Sequence, residues 1–283
     1  FNSPEALRLS RLLPVFTAFG IDVADEYPYQ IKPSDRESIW LHDIGFNVSV
    51  ALDSQWKTRF ESALLASLSG ECEVDSLQQL VLSAGLRHED VSILRTVVGY
   101  VSQWGTFSLT TVQESLTSYP AIARNLWRLF DARLNPHSTV DDASTIVDEL
   151  TGQLDAVTSL DADTALRALL STIFAISRTN AYQHHAGNFA IAIKTAPTNI
   201  EYAPDPKPYA EIWMESPRIR GVHLRFGRVA RGGLRWSDRR DDMRTEIMGL
   251  VRAQVVKNAV IVPTGSKGGF YPKQLPDSSQ RDA

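Results

Sequence analysis

The spacing of apolar residues changes twice along this 283-residue chain, and those changes limit the folds open to it. Residues 53–186 show the helical period almost throughout, whereas strand-like segments lie before and after them. A helix buries one stripe and a strand one face, so each stretch needs its own packing partner. The chain is therefore predicted to be an α+β multidomain protein with a helical module between two sheet-containing parts.

Residues 1–52 are predicted to form a partial α+β sandwich of the kind that has a helix on a small sheet. Apolar residues from Ser3 to Phe19 have helical spacing after a Ser3–Pro4 cap, and Gly20 ends that helix. Two extended segments follow, Ile21–Ile31 and Ser38–Val50, with turn-forming residues between them. Further strands are expected to precede Phe1.

Residues 53–186 are predicted to be a module of packed helices. Its large apolar residues fit packing between helices better than a cofactor site. The predicted helices are Trp56–Ser69, Val74–Ala84, Asp90–Trp104, Val112–Leu116, Ile122–Leu134, Ala143–Leu154 and Ala162–Arg178, with breaks at Gly70, Gly85, Gly105, Pro120 and Pro136.

Residues 187–283 alternate between strand and helix patterns, which is typical of an α/β domain. Ser237 is predicted to cap a helix over Asp238–Val255, whose early aspartates favour its positive end and are not read as metal ligands. The predicted strands are Phe189–Lys194, Ala210–Glu215, Gly221–Gly227 and Ala259–Val262, and the buried stripe of the helix is Met243, Ile247, Leu250 and Val251.

Composition argues against several classes of protein. The net charge of -4 gives the whole chain no attraction to nucleic acid or anionic membrane. The single cysteine, Cys72, rules out an internal disulfide, fits a reducing compartment and is expected to be a small buried side chain. No apolar run approaches the roughly 20 residues that span a bilayer, and no signal peptide pattern opens the chain, so a cytoplasmic location is predicted.

Arginines surround a pair of glycines in the segment 227–236. Arg231 and Arg235 flank Gly232 and Gly233, which lack side chains and so let a ligand approach the backbone closely. A planar guanidinium suits a carboxylate group. This segment is therefore a candidate binding site for an anionic ligand.

Three polar residues further on complete the candidate site. Gln254 and Lys257 lie three apart on the predicted helix, so both side chains can meet one ligand from adjacent turns. Lys267 is predicted to lie on a glycine-rich turn after the last strand. A lysine there is ordinarily solvated, but its place in a cleft with other cations makes it a candidate base.

Two familiar phosphate-binding motifs are absent from the sequence. The run Thr264–Lys267 lacks the first glycine of a Walker loop at the required spacing, and no dinucleotide fingerprint follows a predicted strand. No cofactor-binding or metal-binding residue is assigned, and the chain is predicted to contain no Rossmann domain.

The segment Gly221–Lys273 resembles the start of the catalytic domain of large-type bacterial NAD-specific glutamate dehydrogenases. Shorter matches lie upstream at Arg178–Asn180, at Glu211–Ile212 and at Trp40–Asp43. The resemblance extends over nearly the whole chain, is strong after Arg218 and is weak in the helical middle. It implies a partial ACT-like domain over residues 1–52, a helical module over 53–186 and a truncated catalytic domain over 187–283.

The resemblance also implies a reaction, the oxidative deamination of L-glutamate to 2-oxoglutarate and ammonium with NAD as acceptor. The family's catalytic lysine falls on Lys267, and its ligands for the substrate α-carboxylate fall on Gln254 and Lys257. Arg231, before Gly232 and Gly233, stands where smaller relatives have a lysine for the side-chain carboxylate, and its guanidinium differs from an amine in reach and shape.

Several further expectations follow from the same resemblance. NAD would be held mainly by a downstream domain that this chain lacks, and Asp277 is too near Lys267 to be the family's catalytic aspartate. The assembly would be a homo-oligomer, a tetramer in the family, and the chain alone would not turn over. Two other readings remain open: a regulatory or scaffold fragment, and a polyanion-binding module built on the arginines between Arg218 and Arg240.

Overall fold

The computed structural model describes residues 2–3, 7–34, 38–139, 143–183, 190–258 and 265–275, with backbone alone at 2–3 and 255–258. The chain divides into two compact units, residues 1–91 and 92–283. The helices are α1 (Leu9–Ala18), α2 (Trp56–Ser69), α3 (Gln79–Ser83), α4 (His88–Ser102), α5 (Leu109–Ser118), α6 (Pro120–Leu134), α7 (Ala143–Asp155), α8 (Leu160–Ala175) and α9 (Met243–Asn258). The strands are β1 (Asn2–Ser3), β2 (Ile21–Ile31), β3 (Ile39–Val48), β4 (Ile176–Thr179), β5 (Ile191–Thr195), β6 (Ala210–Glu215), β7 (Ile219–Arg225), β8 (Leu234–Trp236) and β9 (Ser266–Pro272).

The first unit contains a three-stranded antiparallel sheet of order β1-β3-β2. The prediction of β2 and β3 is confirmed, but the helix does not begin at Ser3. Ser3 pairs with Trp40 in the sheet, and α1 starts at Leu9. The Ser3–Pro4 cap was therefore a wrong prediction, because pairing with β3 overrides a helix-start signal that is local to the sequence.

An aromatic cluster forms much of the core of this unit. Phe16 of α1, Phe46 of β3 and Phe60 of α2 lie with ring centroids about 6 Å apart, and Phe19 meets Phe60 edge-on at 5.2 Å. Gly70 ends α2 in the left-handed conformation, as the sequence predicted. Cys72 is buried, which confirms that prediction too.

The helices of the second unit follow the predicted spans closely. α5 packs on α8, and α6 packs on both α7 and α8. The predicted break at Pro120 is confirmed, because α5 ends at Ser118 and Pro120 opens α6, which suits a residue without an N–H group. One detail differs from prediction. The segment Ile176–Thr179 leaves the predicted last helix and forms β4, because it pairs with β5.

A six-stranded sheet of order β4-β5-β6-β7-β9-β8 completes the second unit. The neighbours are antiparallel except β8 and β9, which are parallel. Strand and helix therefore alternate as an α/β unit only at the end of the described chain, where β8, α9 and β9 form a β–α–β unit. α9 packs on β9 and β7, which brings its inner face onto the sheet.

The β–α–β unit differs from its prediction at two points, the start of α9 and the burial of Leu250. α9 begins at Met243, so Ser237 does not cap it, and instead donates a hydrogen bond from its hydroxyl to Glu246 at 2.6 Å. The strand predicted over Ala259–Val262 lies outside the described residues. Met243, Ile247 and Val251 are fully buried as predicted, whereas Leu250 is half-buried.

Candidate functional site

Lys267 lies in strand β9 and not in a turn, which corrects its predicted setting. Its Cα partner on β7 is Leu224. Two residues further along, and so on the same face, a Cβ atom at Gly269 would lie 2.5 Å from Cδ1 of Ile247 in α9. Lys267 is therefore half-buried on the sheet face that α9 covers.

The glycine pair lies beside β9, and its two members differ in surroundings. A Cβ atom at Gly232 would be 1.6 Å from the carbonyl oxygen of Ser266, whereas one at Gly233 would meet nothing within 4 Å. The carbonyl of Gly233 accepts a hydrogen bond from Gly268 N at 3.0 Å. Gly232 thus has a purely structural reason to lack a side chain, since the backbone of β9 occupies the space.

Arg231 and Gln254 meet at the start of β9. Arg231 forms a parallel bridge with Gly265, and its carbonyl accepts hydrogen bonds from Ser266 N at 3.4 Å and from Gln254 Nε2 at 3.3 Å. Gln254 Oε1 is buried without a hydrogen-bond partner among the described residues. The structure therefore brings Arg231 and Gln254 next to the residue that precedes Lys267.

Lys257 follows Gln254 by three residues on α9, so its backbone lies one turn further along the same helix. Its side chain lies outside the described residues. Arg231 and Gly233 are exposed, and an exposed guanidinium can attract a carboxylate.

Several arginines of the predicted basic patch are paired with carboxylates. Arg235 Nε lies 2.9 Å from Glu246, and Arg239 Nη1 lies 2.9 Å from Asp242. Arg220 lies 3.0 Å from Glu215, and both side chains are almost fully buried. These pairs cancel much of the local positive charge and make a continuous polyanion track less favourable.

A buried ion pair behind the site was not predicted from the sequence. Glu211 of β6 is fully buried and accepts hydrogen bonds from Nε and Nη2 of Arg244, at 3.0 and 2.5 Å. Burial is the largest of the causes that raise the pKa of the nearby Tyr100 hydroxyl well above its usual range, and Glu211 adds to it. The signal that could have identified this cluster is the pair of acidic residues, Glu211 and Glu215, in the otherwise apolar strand β6.

Glu215 is the second buried carboxylate of β6. It accepts hydrogen bonds from Trp213 Nε1 at 3.1 Å, from Arg220 and from Lys273. Gly99 of α4 allows this arrangement, because a Cβ atom there would lie 2.6 Å from Glu215 Oε2. The carboxylate thus joins the sheet to α4 and to the end of β9.

His223 lies on the opposite face of the sheet from Lys267, with Gly268 as its Cα partner. Its Nδ1 is buried and has no hydrogen-bond partner among the described residues. Burial, and to a lesser degree the charge of Arg225, lower the pKa of the His223 imidazole below its usual value. The ring is therefore held in its neutral form at neutral pH.

The described residues contain neither a metal-binding cluster nor a membrane-spanning helix. No group of three or more histidine, cysteine or acidic side chains is suitably arranged there to hold a metal ion. Among the same residues, no helix has the length and apolar character required to cross a bilayer.

Three glutamate dehydrogenase family models match successive stretches of the chain. Residues 1–58 match the ACT3 domain of glutamate dehydrogenase, and residues 72–136 match helical motif 3 of glutamate dehydrogenase. Residues 149–283 match the catalytic domain of bacterial NAD-glutamate dehydrogenase, which includes every candidate residue of the site.

Three curated relatives share one name. Proteins called NAD-specific glutamate dehydrogenase are 40% identical over 295 residues in Pseudomonas aeruginosa, 40% over 285 in Mycobacterium tuberculosis and 39% over 293 in Halomonas elongata. The alignments cover 95–100% of this chain but 18% of each relative's length. The three collinear models and these relatives together show that the chain belongs to the bacterial NAD-glutamate dehydrogenase family.

Proposed function

We propose that this chain forms part of an NAD-dependent glutamate dehydrogenase that converts L-glutamate to 2-oxoglutarate and ammonium. The observation that carries the proposal is the contact of the Arg231 main chain with the Gln254 side chain and with the start of β9, the strand that contains Lys267. The chain spans 18% of the length of its relatives, so we assign the complete reaction to the longer protein. The 283 residues by themselves are expected to be inactive.

Two anionic ends of the substrate require two cationic or amide groups. Gln254 and Lys257, one turn apart on α9, would hold the α-carboxylate. Arg231 would hold the side-chain carboxylate. Gly233 would leave the backbone beside it open, and Gly232 would let the segment lie close against β9. The exposure of the Arg231 side chain supports its role, since it leaves guanidinium donors for a ligand. Gln254 Nε2 donates to the carbonyl of Arg231 and has a second N–H that can donate to a carboxylate.

Lys267 would act as the general base. Its neutral amine would take a proton from water as that water adds to the iminium carbon of the substrate, and the resulting ammonium would stabilise the oxygen that becomes negative. Support comes from its position on the face covered by α9, where water is partly excluded and a charge interaction is stronger than in solvent.

The described residues do not fit NAD. A dinucleotide needs a glycine-rich turn and a helix N-terminus that accepts its pyrophosphate, but the β8–α9 connection is Ser237–Asp242 and contains no glycine. We therefore propose that NAD is bound mainly outside this chain, and that the chain contains no Rossmann domain.

The same proposal includes an arrangement and a setting for the chain. Residues 1–52 would form a partial ACT-like domain for assembly or regulation, residues 53–186 a helical module, and residues 187–283 the start of the catalytic domain. The longer protein would be a homo-oligomer, a tetramer as in the family. Its buried single cysteine, Cys72, is compatible with a reducing, cytoplasmic location.

The test is NADH formation from L-glutamate by the longer polypeptide that contains these residues, with a Lys267→Ala variant beside it. We expect a loss of kcat of at least about 100-fold, the scale of general-base catalysis. Lys194→Ala is the matched control, because Lys194 is a half-buried lysine of strand β5 in the same sheet.

The three possible outcomes distinguish the proposed reaction from the proposed role of Lys267. A folded Lys267→Ala protein without activity, beside an active Lys194→Ala protein, supports both the reaction and the base. Full activity in Lys267→Ala would refute the role of the lysine. No glutamate-dependent NAD reduction by the unaltered polypeptide would refute the proposed reaction and favour a regulatory or scaffold role.

A further inference from the structure

Glu211 lies outside the residues proposed to touch glutamate, but it holds the helix that carries two of them. Its buried carboxylate accepts hydrogen bonds from Nε and Nη2 of Arg244, which is the second residue of α9. A bidentate pair of this kind fixes direction as well as distance. The first turn of α9 is thereby attached to the middle of the sheet, on strand β6.

Gln103 fixes the backbone at the same point. Its Oε1 accepts a hydrogen bond from Arg244 N at 3.2 Å, and its Nε2 donates to the carbonyls of Arg240 at 3.2 Å and Asp241 at 2.9 Å. At the start of α9, the side chain of Arg244 is held by Glu211 and the main chain by Gln103. The start of α9 is therefore restrained, and a change at Glu211 would alter the position of an ordered helix end.

Tyr100 restrains the Glu211 carboxylate, and Thr195 restrains Tyr100. Tyr100 is fully buried, and its hydroxyl accepts a hydrogen bond from Thr195 Oγ1 at 3.1 Å. Because burial keeps this hydroxyl protonated, it can donate to Glu211. The carboxylate that holds Arg244 is thus itself fixed by a neighbour from α4.

The position of the first turn of α9 affects the position of residues further along the same helix. Gln254 lies ten residues after Arg244, about 15 Å along the helix axis at 1.5 Å per residue. The buried stripe of α9 packs on the sheet, where Ile247 closely approaches Gly269. A tilt or rotation at Arg244 would therefore move Gln254 relative to β9.

We infer that Glu211 is a positioning residue: through Arg244 it sets the orientation of α9, and so the place of Gln254 and Lys257 relative to Lys267. The inference rests on the proposed function. Stability alone does not account for this pair, because apolar side chains of similar volume often replace buried ion pairs without loss. Directional geometry is what an apolar pair cannot supply.

The test compares steady-state kinetics of the longer enzyme with four sequences: unaltered, Glu211→Gln, the double variant Glu211→Met/Arg244→Met, and Asp131→Asn. For Glu211→Gln we expect the KM for glutamate to rise about tenfold while kcat changes by less than about twofold. The split arises because α9 would carry ligands of the bound substrate, whereas Lys267 lies on β9.

The double variant separates positioning from packing. Two methionines refill the volume and remove both charges, so the melting temperature should return close to that of the unaltered protein. The KM should nevertheless stay raised. Asp131→Asn controls for loss of a buried carboxylate of the same unit, bonded to Asn135 and Ser138, and should leave the KM unchanged.

The possible failures can be told apart. A folded Glu211→Gln protein or double variant with the unaltered KM would overturn the inference while leaving the proposed reaction intact. An equal rise of KM in Asp131→Asn would also overturn it, because general loosening would then be the cause. Absence of glutamate-dependent activity in the unaltered enzyme would overturn the proposed function, and the inference with it.

Discussion

Gly232 packs against Ser266 so closely that a Cβ atom on the glycine would lie 1.6 Å from the serine carbonyl oxygen. The contact is between main chains, so a neighbouring side chain cannot rotate away to relieve it. It holds the segment of Arg231 against the start of β9, where Arg231 bridges Gly265. The first glycine of the pair is therefore required by packing whatever else it contacts.

A Gly232→Ala variant should be destabilised because its methyl group can be accommodated only if the segment before β8 leaves β9. We expect a loss of about 1–3 kcal/mol in the free energy of unfolding, the usual cost of overpacking. Urea denaturation of the 283-residue chain measures it. Gly233→Ala is the matched control, since nothing lies within 4 Å of its Cβ position, and an equal loss in both variants would contradict the packing account.

A second prediction concerns Gly99, which faces a carboxylate that cannot easily move. A Cβ atom there would lie 2.6 Å from Glu215 Oε2, and that oxygen is held by Trp213 and Arg220. We expect Gly99→Ala to lose about 1–3 kcal/mol of stability, because the carboxylate must give up hydrogen bonds or the helix must shift.

The control for Gly99 is a glycine in another helix of the same unit. Gly152 lies in α7 with nothing within 4 Å of its Cβ position, so Gly152→Ala should gain about 0.5–1 kcal/mol from helix propensity. Melting temperatures that move in opposite directions would support the steric argument. A stabilised Gly99→Ala protein would show that Glu215 is not held in this way.

The third prediction is a pH dependence at His223. Burial lowers the pKa of this imidazole in the folded protein, so below its ordinary value of 6.5 the unfolded chain binds the proton more readily. The contribution of His223 is therefore complete above about pH 6.5 and is lost as the pH falls through the lowered folded pKa. The melting temperature should fall on acidification, and less so in His223→Gln.

Nuclear magnetic resonance titration of the imidazole protons would measure the His223 pKa directly. His137→Gln removes an exposed histidine and serves as the control for general effects of a lost imidazole. A His223 pKa at or above the ordinary value, or identical acid sensitivity in the unaltered and His223→Gln proteins, would contradict the prediction.

Much of the secondary structure could be predicted from local pattern. β2, α2 and β6 have the bounds expected from periodicity, and Gly70, Gly85 and Gly105 have the positive φ angles that helix-ending glycines adopt. Failures occurred where a distant strand decided the outcome. Three strand segments were missed because their partners lie elsewhere in the sequence. They contain Ser3, Ile176–Thr179 and Lys267.

The sequence by itself determined the order of the parts, the helical core and the residue types of the candidate site, because periodicity and glycine placement are local properties. Tertiary structure alone decided that Gly232 must make room for Ser266, that Gln254 reaches the carbonyl of Arg231, and that Glu211 holds Arg244. The physical reason is that a close approach or a buried ion pair exists only between residues that folding brings together, 34, 23 and 33 positions apart.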